Sequence, residues 1–324
     1  MQSSVSDEKS QKAKRFLAFS FCGYPNHYGI VLCRRKDCFE TNSDRKMETY
    51  KNMASFQPVI KWSGSKRSQT ETLKSFMPTS YRRYYEPFVG GGSMLYAVNP
   101  NDAIAGDICK PLINLWNAIK ERPSDIKEGY RSRWENLQEE GEETYYLVRE
   151  EFNRDHDIRD PNDFLFLLRT CMNGLVRFNE RGDFNTSFHI GRPGIHPDKM
   201  DVIIDDWNRR ISNTVFLCDD YRNVLYTATD EDIVYLDPPY LNTKGMYGGY
   251  FDYQNLLECL DDLNRRNVRW MLSYDGKSGD NDKTVDVPKE LYRRHEYIKS
   301  GVSSFKRIVK KEKAMVFESL YLNY

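Results

Sequence analysis

Short runs of apolar residues alternate along the chain with longer segments in which apolar side chains recur every three or four positions. The runs have the length and the β-branched or aromatic character of buried strands, and they fall at 84–89, 103–106, 215–218, 233–236, 268–273 and 314–321. The helical spacing is found at 70–77, 94–98, 111–119, 164–175 and 256–263. Strands that alternate with helices in this way predict an α/β fold.

This alternation is interrupted between residues 121 and 213. The segment 139–151 is strongly charged, and a loop rich in glycine and arginine runs from 173 to 197. The α/β pattern resumes only at 215–218. We therefore predict a core domain made of residues 54–120 and 214–324, an inserted helical lobe at 121–213, and a flexible N-terminal extension at 1–53.

The composition narrows the class of protein. At 324 residues the chain is long enough for two domains, and 39% hydrophobic with 30% charged residues excludes a chain that is disordered throughout. The sequence contains no run of about 18 apolar residues that would span a membrane. Residues 15–24 are too short and too polar for a secretory signal. Seven cysteines without a disulfide framework predict a reducing, cytoplasmic setting.

The N-terminal extension contains four residues of the types that bind zinc, namely Cys22, His27, Cys33 and Cys38. Zinc sites in proteins are usually built around a tight Cys-x-x-Cys pair, and the four residues contain no such pair. We therefore predict no metal site.

The principal candidate functional residues directly follow the predicted strand at 233–236. Asp237 follows the predicted strand directly, and Pro238, Pro239 and Tyr240 come next. Because prolines cannot extend a sheet, the chain should turn rigidly at the carboxyl edge, where open α/β sheets bind their ligands. The Asp237 carboxylate and the Pro238 carbonyl would be paired acceptors for an NH₂ group, and the Tyr240 ring offers a face on which a base can stack. The alternative is an ordinary strand end capped by a turn.

A glycine loop follows the first predicted strand. Gly90, Gly91 and Gly92 separate the run at 84–89 from a helical segment, and glycine lets backbone approach a nucleotide-like ligand closely. Asp107 ends the second predicted strand, close to the position at which an acid grips the ribose hydroxyls of an adenosine cofactor. The loop is not G-x-G-x-x-G, and no phosphate-binding Gly-Lys-Ser/Thr follows it. The order of the two features favours a cofactor that contains adenosine.

The formal net charge of zero is unusual for a protein that binds nucleic acid. The neutral total nevertheless conceals local basic surface, including a run at 306–313. In the inserted lobe, basic residues are interleaved with aromatic ones: Arg177, Arg181, Arg192, Lys199, Arg209 and Arg210 with Phe178, Phe184 and Phe188. This mixture suits contacts to phosphates and base edges, and the alternative is a solvated loop over a small core.

Five motifs together resemble a known family. They are KWSGSK at 61–66, EPFVGGGS at 86–93, GD at 106–107, NGLVRFNERGDFN at 173–185 and LDPPY at 236–240. The chain, from about residue 58 to its end, resembles a Dam-type DNA adenine-N6 methyltransferase of the α-ordered class. The resemblance implies a class I S-adenosylmethionine-dependent methyltransferase fold, with a Rossmann-like mixed seven-stranded sheet. It also implies that the lobe at 121–213 is an inserted target-recognition domain.

The resemblance further implies roles for individual residues. Those expected to bind S-adenosylmethionine are Trp62, Lys66, Glu86, Phe88, Gly90, Gly91, Gly92, Asp107 and Asp237. Those expected to form the catalytic adenine pocket are Asp237, Pro238, Pro239 and Tyr240. Those expected to contact DNA are Asn173, Arg177, Asn179, Arg181, Asn185, Ser187 and Arg192.

The expected reaction is transfer of a methyl group to N6 of an adenine flipped out of double-stranded DNA. A GATC-like site is the implied target, although Ser187-Phe188-His189 replaces the family's usual Pro followed by Phe-Gly. Two alternatives stay open: an N4-cytosine methyltransferase, and a sequence-specific DNA-binding protein that lacks catalysis. We expect a monomer or weak dimer, and a companion restriction endonuclease is a further candidate partner.

Overall fold

The computed structural model describes residues 56–239, 251–278, 281–282, 284–302 and 315–324. Three of the sequence-based expectations lie outside these residues. They concern the N-terminal extension with its four candidate zinc ligands, Tyr240, and the basic run at 306–313.

The described chain alternates between helices and strands. The helices are α1 (Thr70–Ser75), α2 (Ser93–Val98), α3 (Lys110–Glu121), α4 (Pro123–Glu140), α5 (Glu142–Arg154), α6 (Pro161–Thr170), α7 (Pro197–Arg210), α8 (Tyr221–Val224) and α9 (Tyr253–Arg265). The strands are β1 (Tyr84–Glu86), β2 (Ala103–Gly106), β3 (Thr214–Leu217), β4 (Ile233–Leu236), β5 (Arg269–Ser278), β6 (Asn281–Asp282), β7 (Arg294–Val302) and β8 (Met315–Leu322).

Seven of these strands form one mixed sheet in the order β3-β2-β1-β4-β5-β8-β7, and the two-residue β6 pairs with β5 at the side of this path. Strands β1 to β5 run parallel, and β8 is antiparallel to both of its neighbours, β5 and β7. The predicted α/β class with a mixed seven-stranded sheet is confirmed. The order turns around at β1 and β4, so the carboxyl ends of these two strands border the place where open sheets bind ligands.

Both faces of the sheet are covered, as the alternation of side chains along the strands requires. Ile233 and Tyr235 of β4 belong to one buried apolar cluster, whereas Val234 and Leu236 belong to the other. Tyr84 and Tyr85 of β1 divide between the two clusters in the same way. The runs of β1 and β4 are therefore apolar at consecutive positions because each position faces a core.

The inserted helices α4 to α7 share the first of these clusters with α3. Residues 164–168 of α6 are all completely buried, and Trp207 of α7 packs on Trp116 of α3 with ring centroids 4.8 Å apart. The apolar core beneath the sheet therefore continues into the helical insertion. The division into two domains stays a prediction. No helix in the described part of the chain is long and apolar enough to cross a membrane.

Two features of the fold differ from the sequence-based expectations. The helical pattern at 164–175 continues past the actual end of α6 at Thr170. The backbone is extended at Cys171, with φ −68° and ψ 158°, and Asn173 and Gly174 then have positive φ angles of 56° and 67° in a separate 3₁₀ turn. Strand β7 was not predicted. Its sequence, RHEYIKSGV, places charged residues between the apolar ones, so it lacks the apolar run typical of the parallel strands.

Candidate active site

Asp237 stands immediately after β4, at the carboxyl edge of the sheet. The ladder ends at Leu236, and Pro238 and Pro239, which have no backbone N–H, prevent its continuation. The Asp237 side chain is 17% exposed, and its Oδ1 accepts a hydrogen bond from Lys66 Nζ at 2.6 Å. Burial raises the pKa of Asp237 to about 6, and the adjacent Lys66 ammonium opposes this rise.

Lys66 is a buried cation shared by two carboxylates. Its side chain is 4% exposed, and Nζ lies 2.6 Å from Asp237 Oδ1 and 3.4 Å from Glu318 Oε2. Glu318 belongs to β8 and was not among the predicted site residues. Its signal in the sequence is a single acid inside a mostly apolar strand, at 315–322.

Glu86 ends β1 and is buried beneath the same edge. The Tyr84 hydroxyl donates a hydrogen bond to Glu86 Oε2 at 2.8 Å. Burial raises the pKa of Glu86 to about 8, and the Tyr84 hydrogen bond opposes this rise. The carboxyl group is therefore mostly protonated near neutral pH. Tyr84, which sequence reasoning missed, lies two residues before Glu86 on the same strand and hence on the same face.

The glycine loop lies against Trp62. Gly90 has a φ angle of 44°, and a Cβ atom added there would come within 2.9 Å of Trp62 Cδ1 and Nε1. A Cβ atom on Gly91 would lie 3.1 Å from Trp62 Cβ. The loop is also held from below, since Trp116 Nε1 donates to the Gly90 carbonyl at 3.0 Å. Only glycine permits this close approach of loop and ring.

Asp107 closes the loop from the neighbouring strand, β2. Its Oδ2 accepts from the Gly90 N–H at 3.2 Å, and its Oδ1 accepts from the Cys109 N–H at 3.0 Å. Burial raises the pKa of Asp107 to about 6, against the lowering effect of these backbone donors. Phe88 packs in the same region, with its ring centroid 5.1 Å from that of Tyr221.

A chain of contacts joins Asp237 to the glycine loop. Lys66 reaches Asp237, the neighbouring Ser65 Oγ lies 2.8 Å from Ser93 Oγ just beyond the loop, and Trp62 covers the glycines themselves. Trp62, Lys66, Glu86, the three glycines, Asp107 and Asp237 are thus gathered along one edge of the sheet. The Asp237 side chain contacts Lys66 at this edge and is not directed into the apolar core.

These residues fit a cofactor that contains adenosine. The backbone of Gly90 and Gly91 carries no side chain, an aromatic ring lies beside it, and an acid stands at the tip of the next strand. Ser63 Oγ is buried and has no hydrogen-bond partner among the described residues, so a bound polar ligand could satisfy it. The described residues include no group of three or more His, Cys, Asp or Glu side chains that could hold a metal ion.

The predicted DNA-contacting residues occupy a hairpin-like loop in the helical insertion. Antiparallel bridges join Cys171 to Phe188 and Phe178 to Phe184. The inward positions Val176, Phe184 and Phe188 are buried, whereas all seven predicted DNA-contacting residues are exposed: Asn173, Arg177, Asn179, Arg181, Asn185, Ser187 and Arg192. The alternation along the two sides of the hairpin therefore presents the polar side chains to solvent.

Two of these polar residues also shape the loop. Asn179 Oδ1 accepts from the backbone N–H groups of Arg181 and Asp183, both at 2.9 Å, and so folds the tip. Asn185 Oδ1 accepts from Arg177 Nε at 3.2 Å, which fixes the direction of the guanidinium group. The loop is thus ordered by its own side chains.

The loop also touches the segment that carries Trp62. Lys61 Nζ donates to the Arg169 carbonyl at 3.2 Å, and a Cβ atom on Gly174 would lie 2.6 Å from Lys61 Cβ. Burial lowers the pKa of Lys61, and the nearby Arg169 adds to this effect. Lys61 therefore connects the candidate DNA-contacting loop to the edge of the sheet.

Comparison with known proteins gives a consistent family. A family model described as D12 class N6 adenine-specific DNA methyltransferase matches residues 62–316. The chain is 28% identical over 259 residues to the type II methyltransferase M1.LlaDCHI of Lactococcus lactis subsp. cremoris, which covers 75% of this chain and 87% of that protein. It is 29% identical over 299 residues to the type II methyltransferase M.MjaIII of Methanocaldococcus jannaschii, covering 83% and 99% of the two chains. It is 34% identical over 182 residues to the DNA adenine methylase of Serratia marcescens, covering 56% and 66%.

Proposed function

Because the chain belongs to the D12 class of N6 adenine-specific DNA methyltransferases, we propose that it transfers a methyl group from S-adenosylmethionine to N6 of an adenine rotated out of duplex DNA. The observation that carries the proposal is the Asp237 carboxylate at the end of β4. Lys66 fixes its Oδ1, while Oδ2 receives no hydrogen bond from any described residue. A carboxylate with one fixed and one available oxygen can orient an incoming amine.

The chain's own part in the reaction follows from the chemistry of the amine. Adenine N6 is a poor nucleophile, because its lone pair is delocalised into the ring. Asp237 and the Pro238 carbonyl would accept hydrogen bonds from its two N–H groups and turn the lone pair out of the ring plane. Asp237 also lies ready to accept the proton that N6 must lose, since its pKa of about 6 is above the usual value for aspartate. When bound, S-adenosylmethionine supplies the electrophilic methyl group.

The cofactor would lie along the edge between the glycine loop and Asp237. Trp62 and the backbone of Gly90 to Gly92 would line one side, and Asp107 would face the ribose. Phe88 would pack against the adenine ring of the cofactor. Lys66, with its positive charge, and the buried Glu86 would lie beneath the cofactor.

The loop at 171–194 would bind the DNA and recognise its sequence. Its exposed arginine and asparagine side chains are suited to bases and phosphates, and the hydrogen bond from Arg177 Nε to Asn185 orients the guanidinium group. A GATC-like target is part of the proposal, because the motif at 173–185 resembles that of Dam-type enzymes. Stacking on Tyr240 would offset roughly 1–3 kcal/mol of the cost of rotating the base out.

Identification of the methylated nucleoside tests the proposal. The protein is incubated with S-adenosylmethionine that carries an isotopically labelled methyl group and with duplexes that contain or lack GATC, and the DNA is then digested to nucleosides. We expect labelled N6-methyl-2′-deoxyadenosine, with GATC duplexes as the better substrate. Label in N4-methyl-2′-deoxycytidine would assign the alternative amine chemistry, and binding to DNA without any transfer of label would identify a non-catalytic binding protein.

A further inference from the structure

Glu318 is a second carboxylate in the site. Its Oε1 accepts a hydrogen bond from Ser300 Oγ at 2.8 Å, and its buried Oε2 lies 3.4 Å from Lys66 Nζ, as an ion pair without a hydrogen bond. The side chain is only 14% exposed, although it projects from a strand whose other residues are mostly apolar. A carboxylate in such a setting is costly unless it has partners, and Ser300 and Lys66 are those partners.

Lys66 consequently serves two carboxylates with one positive charge. The groups that face Asp237 are Lys66, Glu318, Glu86 and Tyr235. Glu86 is mostly protonated near neutral pH, and burial keeps the pKa of Tyr235 well above its usual value. Glu318 is therefore the neighbour that contributes negative charge to Asp237 among the described residues at neutral pH.

The contacts of the Lys66 ammonium group with both carboxylates determine which oxygen of Asp237 it binds. The ammonium group contacts Oδ1 of Asp237 and also lies 3.4 Å from Glu318 Oε2 and from the Gly64 carbonyl oxygen. The attraction of Glu318 opposes a movement of the ammonium group that would bridge both oxygens of Asp237. Without this attraction, Lys66 would be drawn more strongly to Asp237 and would compete with an amine for Oδ2.

We propose that Glu318 is a positioning residue for methyl transfer, which holds Lys66 on one oxygen of Asp237 and leaves the other oxygen available to the target amine. This inference rests on the proposed function, because it assigns the available oxygen to N6 of adenine. Glu318 acts through Lys66 and need not touch either substrate.

The inference predicts a change in the titration of Asp237. The charge of Glu318 raises the pKa of Asp237, whereas the charge of Lys66 lowers it. Replacing Glu318 by glutamine removes the first effect and strengthens the second, so Asp237 should stay ionised to lower pH. An aspartate paired only with lysine is also a weaker acceptor for the amine. The acidic limb of the rate profile should therefore move to lower pH while the plateau rate falls.

The test compares Glu318→Gln with the wild-type protein in two measurements. In the pH dependence of kcat/KM, we expect the acidic limb to move down by about half a pH unit or more, and kcat at the plateau to fall about tenfold. KM for the cofactor should change little. The second measurement uses the protein without substrates: ¹³C NMR of labelled aspartate carboxyls, with the Asp237 signal assigned by its loss in Asp237→Asn, should show the same downward shift in midpoint.

Two further variants control the comparison. Glu296→Gln removes an exposed carboxylate on the neighbouring strand β7, where Glu296 pairs with Arg294 at 3.4 Å, and should leave both measurements unchanged. Ser300→Ala removes the hydrogen bond to Glu318 but keeps its charge, so it should lower kcat without moving the midpoint as far as Glu318→Gln. This variant also tests the inference if Glu318→Gln does not fold.

An Asp237 midpoint that is the same in Glu318→Gln and the wild-type protein would overturn the inference, and so would a loss of rate that is equal at every pH. If the wild-type protein fails to methylate adenine, the proposed function fails instead. The carboxyl titration would then still report whether Glu318 controls Lys66 and Asp237.

Discussion

The carboxyl edge of the sheet and the loop at 171–194 differ in the exposure of their charged side chains. At the edge, Lys66 and Glu86 are buried, and their polar atoms contact other groups of the protein. In the loop, Arg177, Arg181 and Arg192 are exposed. The buried positions between them are Phe184, Thr186 and Phe188, and none of these is charged. The first arrangement fixes charged groups before a substrate arrives, as catalysis requires. The second presents side chains to a partner that supplies part of their hydrogen bonding.

The difference also appears in the ionisation of the acids. Burial raises the pKa values of Asp107 and Asp237 to about 6 and that of Glu86 to about 8. In the loop, hydrogen bonds from Asn179 and His156 instead lower the pKa of the exposed Asp183. Burial therefore disfavours the ionised form of the acids at the edge, which is typical of functional sites, whereas the ionised form of Asp183 in the loop is favoured.

The largest effect should follow replacement of the residue at the centre of the edge. Asp237→Ala removes the acceptor for the amine, and we expect the single-turnover rate of methyl transfer to fall by about 10²–10³-fold or more. DNA binding by the loop at 171–194 should persist, as measured by fluorescence anisotropy. A variant that retains its turnover would show that the edge is not catalytic.

The ionisation of Glu86 predicts the pH dependence of stability. Because its folded-state pKa is raised to about 8 from the usual 4.5, its favourable contribution is complete below pH 4.5 and is lost as the pH rises through 8. Glu86→Gln cannot ionise, so its free energy of unfolding should fall less between pH 5 and 9, by about 3 kcal/mol. Urea unfolding without cofactor measures this, and parallel curves for the two proteins would contradict the assignment.

The loop should respond through specificity rather than turnover. Arg177→Ala should reduce discrimination between target and non-target duplexes by about 1–3 kcal/mol if the guanidinium group reads a guanine. The ratio of kcat/KM on the two duplexes measures this. An equal loss on every sequence would mark Arg177 as a phosphate contact.

A smaller effect, on stability and cofactor affinity, should distinguish Gly90 in the glycine loop from a glycine in an ordinary turn. Gly90→Ala should destabilise the protein by roughly 1–2 kcal/mol, because of its positive φ angle, and should also weaken cofactor binding by displacing Trp62. Gly141 has a φ angle of 76° but open space around it, so Gly141→Ala should carry the backbone cost alone. Calorimetric titration with S-adenosylmethionine distinguishes them, and equal affinity in both variants would remove Gly90 from the cofactor site.

Sequence reasoning found those parts of the fold that local pattern determines. The apolar runs predicted β1 to β5 and β8, because strands buried on both faces carry consecutive apolar residues. The charged strand β7 lacks that pattern and was missed. The helix at 164–175 was predicted too long, because the left-handed conformation of Asn173 is decided by the turn in which it lies.

The candidate site was predictable where a motif is contiguous and not where it depends on tertiary packing. Asp237, the glycines and Trp62 stand in short motifs, and the structure brings them to one edge. Glu318 reaches Lys66 only because β8 lies beside β5 in the sheet, a pairing between distant segments. The hydrogen bond between Tyr84 and Glu86 could have been found, since residues two apart on a strand share a face.

The most direct test of the proposed function is a crystal structure of the protein with a duplex containing its target and the demethylated cofactor. We predict that the target adenine is rotated out of the helix, with N6 about 3 Å from an Asp237 carboxylate oxygen and from the Pro238 carbonyl. The glycine loop and Trp62 would line the cofactor on the other side. An adenine that remains stacked in the duplex, or one whose amine faces away from Asp237, would contradict it.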